Sequence, residues 1–275
     1  MAANEALRDL RILPVSCLKP HEETTPEKTE RIKRIIRSSR VAKNPVLVDR
    51  ESLVVLDGMH RVAAFKELGY KNILCQLVDY ESQKLLVGLW HPFFPKEMIP
   101  ELEKLAKLSP TNYEDGMQSI CASRAVFLLA YPGAGGIAWS LVAQSEREIP
   151  LAELVSAQKK ILSALRKKCG LKQVPDFEAK EFAEIGAVLI RRPFRKQEIL
   201  SLASKGILLP PTSTRHMFPL RVICVGIPLA WLKLKPEDAN KRLEKMLEEA
   251  VKKGEIRHYP EPVLVVDDAR EKHIT

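Results

Sequence analysis

An α/β (α+β) fold is what this sequence predicts, and three observations carry the prediction. Short apolar runs bounded by Pro, Asp and Gly alternate with helical periodicity through roughly the first eighty residues. Past Tyr80 the pattern changes to longer helical stretches with isolated strand-like runs. The 275-residue chain is 45% hydrophobic, enough to bury one large core or two modest ones. The change of pattern places an expected boundary between a compact first domain, residues 1–82, and a helix-rich second domain, residues 83–275, that closes a cleft with it.

Taken in order, Arg11-Ile12-Leu13-Pro14-Val15 reads as a first strand and Lys19-Pro20-His21-Glu22 as the loop leaving it. In 26–38 the apolar residues Ile32, Ile35 and Ile36 form one buried stripe on an otherwise charged helix. Pro45-Val46-Leu47-Val48-Asp49 and Leu53-Val54-Val55-Leu56 read as a hairpin joined at Arg50-Glu51-Ser52. A helix over 60–68 is closed by Gly69, and 72–78 is a further strand. Beyond lie expected helices at 95–107, 113–129 and 151–169, with the glycine-rich break 131–136 between the last two. A strand at 187–190, a helix at 196–205, a polar turn at 212–216, a strand at 220–228, a helix at 236–253 and a strand at 263–266 complete the pattern. The glycine-rich break lacks the Gly-Lys-Ser/Thr of a phosphate loop.

Composition excludes several classes. No apolar run reaches the ~18–20 residues of a membrane span, and charged residues occupy the start where a signal peptide is apolar. A cytoplasmic protein with no membrane partner is the expectation. Five dispersed cysteines show no metal or disulfide spacing and read as small apolar core residues. The net charge of +9 is scattered over helix faces instead of forming a stripe for nucleic acid.

The chemistry concentrates at Asp57-Gly58-Met59-His60-Arg61, where a strand ends and a helix begins. Free backbone N–H groups at a helix start favour a phosphate, and Gly58 permits close approach. His60 and Arg61 add donors, and Asp57 is a hard oxygen ligand suited to Mg²⁺. On the residues alone, an aspartate helix cap beside a partly buried histidine and a surface arginine fits equally well.

The ordered set Lys19-Pro20-His21-Glu22, Pro45-Val46-Leu47-Val48-Asp49, Val55-Leu56-Asp57-Gly58-Met59-His60-Arg61 and Ala64-Phe65-Lys66-Glu67-Leu68-Gly69 resembles the ParB/sulfiredoxin-like domain. ParB proteins carry a Gly-Glu-Arg-Arg motif at this turn, and sulfiredoxins a catalytic cysteine where Met59 stands; neither is present. The free serine kinases have Asp-Gly-x-His-Arg here and His-Glu in the first loop. Their distal Pro-Pro-x-x-Thr-Arg-His is similar to Pro210-Pro211-Thr212-Ser213-Thr214-Arg215-His216. Many of them have a second histidine at the position of Met59.

That resemblance implies phosphorylation of free L-serine to O-phospho-L-serine by ADP or ATP with Mg²⁺. It implies Glu22 as the general base with Asp57, Glu23 being the neighbouring alternative. Gly58, Met59, His60 and Arg61 are the implied nucleotide and phosphate contacts, with Asp57 the implied Mg²⁺ ligand. Trp90, Thr214, Arg215 and His216 are the implied substrate contacts. His91 reads as structural, and Lys43 as a surface residue within reach of a phosphate. A ParB-like nucleotide-dependent DNA-binding protein, and a kinase for another small hydroxyl metabolite, are the alternatives; donor choice, pyrophosphate included, and oligomeric state stay open.

Overall fold

The computed structural model describes residues 6–257, which fall into two compact units. Unit 1 comprises residues up to Pro20, Thr24–Lys84 and the chain from Phe218; unit 2 comprises His21–Glu23 and Leu85–Met217. The expected boundary at residue 82 lies two residues before the passage at 84/85, and the segment from Phe218, expected in the second domain, returns to the first unit.

Unit 1 is built on a five-stranded mixed sheet. Strands β1 (Leu10–Pro14), β2 (Lys19–Pro20), β4 (Val46–Asp49), β5 (Val54–Asp57) and β6 (Asn72–Val78) lie in the order β1-β6-β4-β5-β2, and the two-residue β3 (Val41–Ala42) pairs with Ile227–Pro228. β4 and β5 form the expected antiparallel hairpin, and β4 runs parallel to β6. Helix α1 (Pro26–Ser38) starts on proline at its first turn and α2 (Met59–Glu67) follows β5 directly. Val46, Val48, Val55, Ala64, Phe65 and Ile73 make the core.

The return of the C-terminal segment has a visible cause. Ile227, Leu232, Ala239 and Leu243 enter this same core, and side-chain amides sew the segment to the sheet. Asn72 Nδ2 donates to Leu232 O and Leu234 O at 3.1 and 2.8 Å. Gln76 Nε2 donates to Leu220 O and its Oε1 accepts from Val222 N–H. Asn240, on the helix Pro236–Lys252, accepts from Ile12 N–H and donates to Ile12 O, covering the sheet-edge strand β1. The expected strand at 220–228 is reduced to Ile227–Pro228; ahead of it Gln76 takes Leu220 O and Val222 N–H, and Asn44 Oδ1 takes Cys224 N–H, in place of a ladder. The expected strand at 263–266 lies outside the described residues.

Unit 2 departs from the helix-rich expectation. It carries a seven-stranded sheet of β7 (Leu86–Phe94), β8 (Leu108–Thr111), β9 (Phe127–Gly133), β10 (Gly136–Val142), β11 (Lys172–Pro175), β12 (Ala187–Ile190) and β13 (Thr214–Met217). The path is β11-β7-β12-β9-β10-β8, with β13 beside β7. The helix expected at 113–129 stops at Cys121, giving α3 (Tyr113–Cys121), and 127–133 is strand. Phe127 and Leu129 enter one core, and Leu128 and Ala130 the other. A strand buried on both faces is continuously apolar, so its periodicity cannot be told from that of a buried helix. The 95–107 stretch similarly shrinks to a 3₁₀ turn and the short helix Ile99–Glu103 ahead of β8. Helices α4 (Leu151–Lys168) and α5 (Lys196–Ser204) fall as expected, and the glycine-rich break is the β9–β10 hairpin.

Cys75 is buried as expected, but Cys121 and Cys224 are exposed, and all five cysteines are free thiols. No helix among the described residues is long and apolar enough to cross a membrane.

Candidate active site

The sequence-predicted residues separate into two clusters. Unit 1 holds Asp57, Gly58, Met59, His60 and Arg61; unit 2 holds Glu22, Trp90, Thr214, Arg215 and His216.

In unit 1, Gly58 is the N-cap of α2 at φ +100°, and no side chain caps that helix. A Cβ on Gly58 would stand 2.7 Å from Val46 Cγ1, so both backbone angle and space demand glycine. Arg61 is held from three sides: Nη1 donates to Asn44 O and Pro45 O at 3.1 and 2.7 Å, and Nη2 to Asp57 Oδ2 at 3.1 Å. The same oxygen accepts from Arg221 Nη2 at 2.5 Å. Asp57 is therefore an ion-paired carboxylate and not a helix cap, and Arg221 is a residue that no motif in the sequence marked. His60 Nε2 accepts from Thr25 N–H at 3.0 Å, which puts the ring proton on Nδ1 and ties the start of α2 to the N-cap of α1. Met59 packs its side chain against the core.

In unit 2 the segment His21–Glu23 lies along Leu209, with Leu209 N–H donating to His21 O and Glu23 N–H to Leu209 O. Glu22 is thereby buried, and its carboxylate takes four donors. Oε1 accepts from Ser213 N–H (3.0 Å), Thr214 N–H (2.7 Å) and the Thr214 hydroxyl (2.6 Å). Oε2 accepts from Thr212 N–H at 2.9 Å. Because the Thr214 hydroxyl donates to Glu22, it accepts from His21 Nε2–H at 2.8 Å, giving a buried imidazole–hydroxyl–carboxylate chain. Burial pushes the Glu22 carboxyl up, but His21, by hydrogen bond and charge, and the Thr214 donors outweigh it and hold it at about 2.

His216 stands edge-on to His21, ring centroids 5.3 Å apart. Burial, then the neighbouring His21, lowers it to about 3, so it is neutral at pH 7 and brings one N–H instead of a charge. Arg215 is not brought to this group. On β13 successive side chains alternate faces, and Arg215 Nη2 pairs with Asp176 Oδ1 at 2.8 Å across Gly88. A Cβ on Gly88 would come within 2.8 Å of Asp176 Oδ2, so this glycine makes room for the pair. Trp90 sits two residues along β7 from Gly88, and its N–H donates to Ser213 O at 3.2 Å.

Asp176 and Arg191 carry no motif in the sequence, and only the register of β7, β11, β12 and β13 collects them. Arg191 donates to Trp90 O and Thr212 O. The alternative base Glu23 is ion-paired with Lys159 at 2.7 Å. His91 is buried, its Nδ1 accepting from Arg191 N–H, as expected of a structural histidine.

The chain shares its mixed α/β fold with solved free serine kinases. A solved free serine kinase in complex with AMP superposes with a TM-score of 0.66 at 23% identity, over 82% of this chain and 93% of that one. The chain is 26% identical to an ATP-dependent L-serine kinase of Staphylothermus marinus, over 81% of this chain and 90% of the relative. It is 27% identical to the ADP-dependent L-serine kinase SerK of Thermococcus kodakarensis, over 80% and 92%. No family model matches. The resemblance read from the motifs is thus borne out along most of the chain.

Proposed function

We propose that this protein phosphorylates free L-serine to O-phospho-L-serine with ATP or ADP as donor. The observation that carries the reading is the similarity to L-serine kinases of both donor types over about four-fifths of the chain, and so through both units. In the reaction the serine oxygen bonds to the terminal phosphorus, the bond to the bridging oxygen breaks, and the hydroxyl proton must leave. Glu22 Oε2, with one protein donor against three on Oε1, is the oxygen with capacity to accept it. Its low basicity suits a loose transition state in which proton transfer is late and positioning does most of the work. Trp90, Thr214, Arg215 and His216 are proposed serine and phosphate contacts. Gly58, Met59, His60 and Arg61 are proposed contacts of the donor phosphates, through the uncapped first turn of α2.

Magnesium fits the residues present. Asp57 Oδ2 is taken by two guanidinium groups, and Oδ1 would hold the ion. Among the described residues no group of three or more His, Cys, Asp or Glu forms a metal cage. One carboxylate supplemented by phosphate oxygens and water is a usual Mg²⁺ arrangement, and the bound ion neutralises phosphate charge. The reading is of a cytoplasmic enzyme with two small-molecule substrates. Incubation with Mg²⁺ and L-serine against ATP, ADP and pyrophosphate in parallel, followed by ³¹P NMR, tests it. O-phosphoserine is expected with a nucleotide, and no product with any of the three would overturn the assignment.

A further inference from the structure

We propose that Arg191 is the positioning residue of the Glu22 cluster, clamping the left-handed Thr212 turn so that the carboxylate, the Thr214 hydroxyl and His21 are aligned before substrate arrives. Its catalytic consequence rests on the kinase reading, but the clamp itself does not.

Arg191 is 1% exposed, the largest fully buried side chain among the described residues. A guanidinium taken out of water without a salt-bridged carboxylate is expensive, and is retained only where its contacts accomplish something. Nη1 donates to Trp90 O at 2.8 Å and Thr212 O at 3.1 Å, while Nε and Nη2 have no hydrogen-bond partner among the described residues. Thr212 has φ +57°. For a β-branched residue that conformation is strained, and it persists only where the surroundings hold it. Glu22 holds it from one side, accepting Thr212 N–H, and Arg191 from the other, donating to Thr212 O. With Thr212 left-handed, the N–H groups of 212, 213 and 214 converge on one carboxylate, a concave nest for an anion. Through Trp90 O the same guanidinium anchors β7 at a proposed serine contact.

Charge completes the picture. Glu22 faces His21, His216 and Arg191, and Arg191 faces Glu22, His91 and Arg166. Burial lowers the Arg191 guanidinium to about 10, which leaves it cationic at neutral pH, its charge felt by the Glu22 carboxylate without a direct ion pair.

The test compares Arg191→Met, Arg191→Lys and Arg191→Met/Thr212→Gly with the parent, all confirmed folded by circular dichroism. Amide exchange of residues 212–214 and the NMR titration of the Glu22 carboxyl are read first, because neither needs turnover. Arg191→Met should speed exchange at those three amides, move the Glu22 titration upward, and lower kcat by roughly 10²-fold with KM changed much less. Arg191→Lys keeps the charge and so should keep the titration while still losing protection. Glycine adopts the left-handed angle without strain, so the double variant should regain at least about 10-fold of the lost kcat and the amide protection, but not the titration. Unchanged exchange and titration in Arg191→Met, or no recovery of protection by glycine, overturns the clamp. If Arg191→Met does not fold, Arg191→Lys decides by the same exchange readout. Absence of turnover in the parent would count against the kinase reading and leave the exchange and titration arms decisive.

Discussion

Replacing Glu22 with glutamine separates two jobs that the structure assigns to one carboxylate. The ordinary glutamate value of 4.5 falls to about 2 in the fold, a difference of about 3 kcal/mol in favour of the folded, charged form. Sign follows from the direction: the unfolded chain takes up the proton first, so this stability is complete above pH 4.5 and is lost as pH falls toward 2. Glutamine can offer its carbonyl at the position of Oε1, where three donors meet, but its NH₂ then confronts Thr212 N–H across 2.9 Å. Loss of charge-assisted bonds and one donor–donor conflict should cost about 1–3 kcal/mol, lowering Tm by about 2–12 °C. Separately, kcat measured well below the new Tm should fall by roughly 10²–10⁴, the scale of a positioned general base. Differential scanning calorimetry and steady-state kinetics on the same preparation distinguish the two. The surface Glu23→Gln should change neither by much, since its partner Lys159 is a half-exposed ion pair. Unaltered Tm would refute the structural lock, and near-normal turnover in a folded Glu22→Gln enzyme would refute the base.

Three other predictions concern separate parts of the molecule. Burial, then the Arg191 charge, lowers His91 to about 4 from 6.5, so the unfolded state binds the proton first and stability drops as pH falls from 6.5 toward 4; between pH 7.5 and pH 5 His91 should account for about 2 kcal/mol of the stability lost in urea unfolding, with a similar share from His216, and His91→Asn should remove about half of that slope. Gly58→Ala forces a side chain into φ +100° with Val46 Cγ1 at 2.7 Å, and should cost about 2–4 kcal/mol in thermal unfolding; a cost within 0.5 kcal/mol, about the noise for surface changes, would show that the turn gives way. Asp57→Asn keeps the shape but removes the charge between Arg61 and Arg221, so calorimetric titration should find weaker, less Mg²⁺-dependent nucleotide binding; equal affinity with and without Mg²⁺ in parent and variant alike would remove Asp57 from the metal site.

Local pattern was sufficient for part of this protein. The β4–β5 hairpin, the glycine turn into α2 and the amphipathic α1, α4 and α5 were legible because propensity, periodicity and turn chemistry agree along contiguous residues. The Asp57–Arg61 turn and the Thr214–His216 segment were legible as motifs. Their partners were not. Strand β9 is apolar at every position from Phe127 to Ala130 because both faces are buried, and burial on two faces erases the period that distinguishes strand from helix. Arg221, Asp176 and Arg191 carry no local signal, since each acquires its meaning from strand register or from a contact many residues away: Arg221 with Asp57, Asp176 with Arg215, Arg191 with Thr212. Alternation along β13 parts Arg215 from Thr214 and His216, although the three adjoin in sequence. Sequence by itself determined which residue types and which local turns are available for the chemistry. Tertiary structure alone decided which of them meet and in what charge state, because ion pairing, burial and strand register depend on distances that neighbouring residues in the chain do not specify.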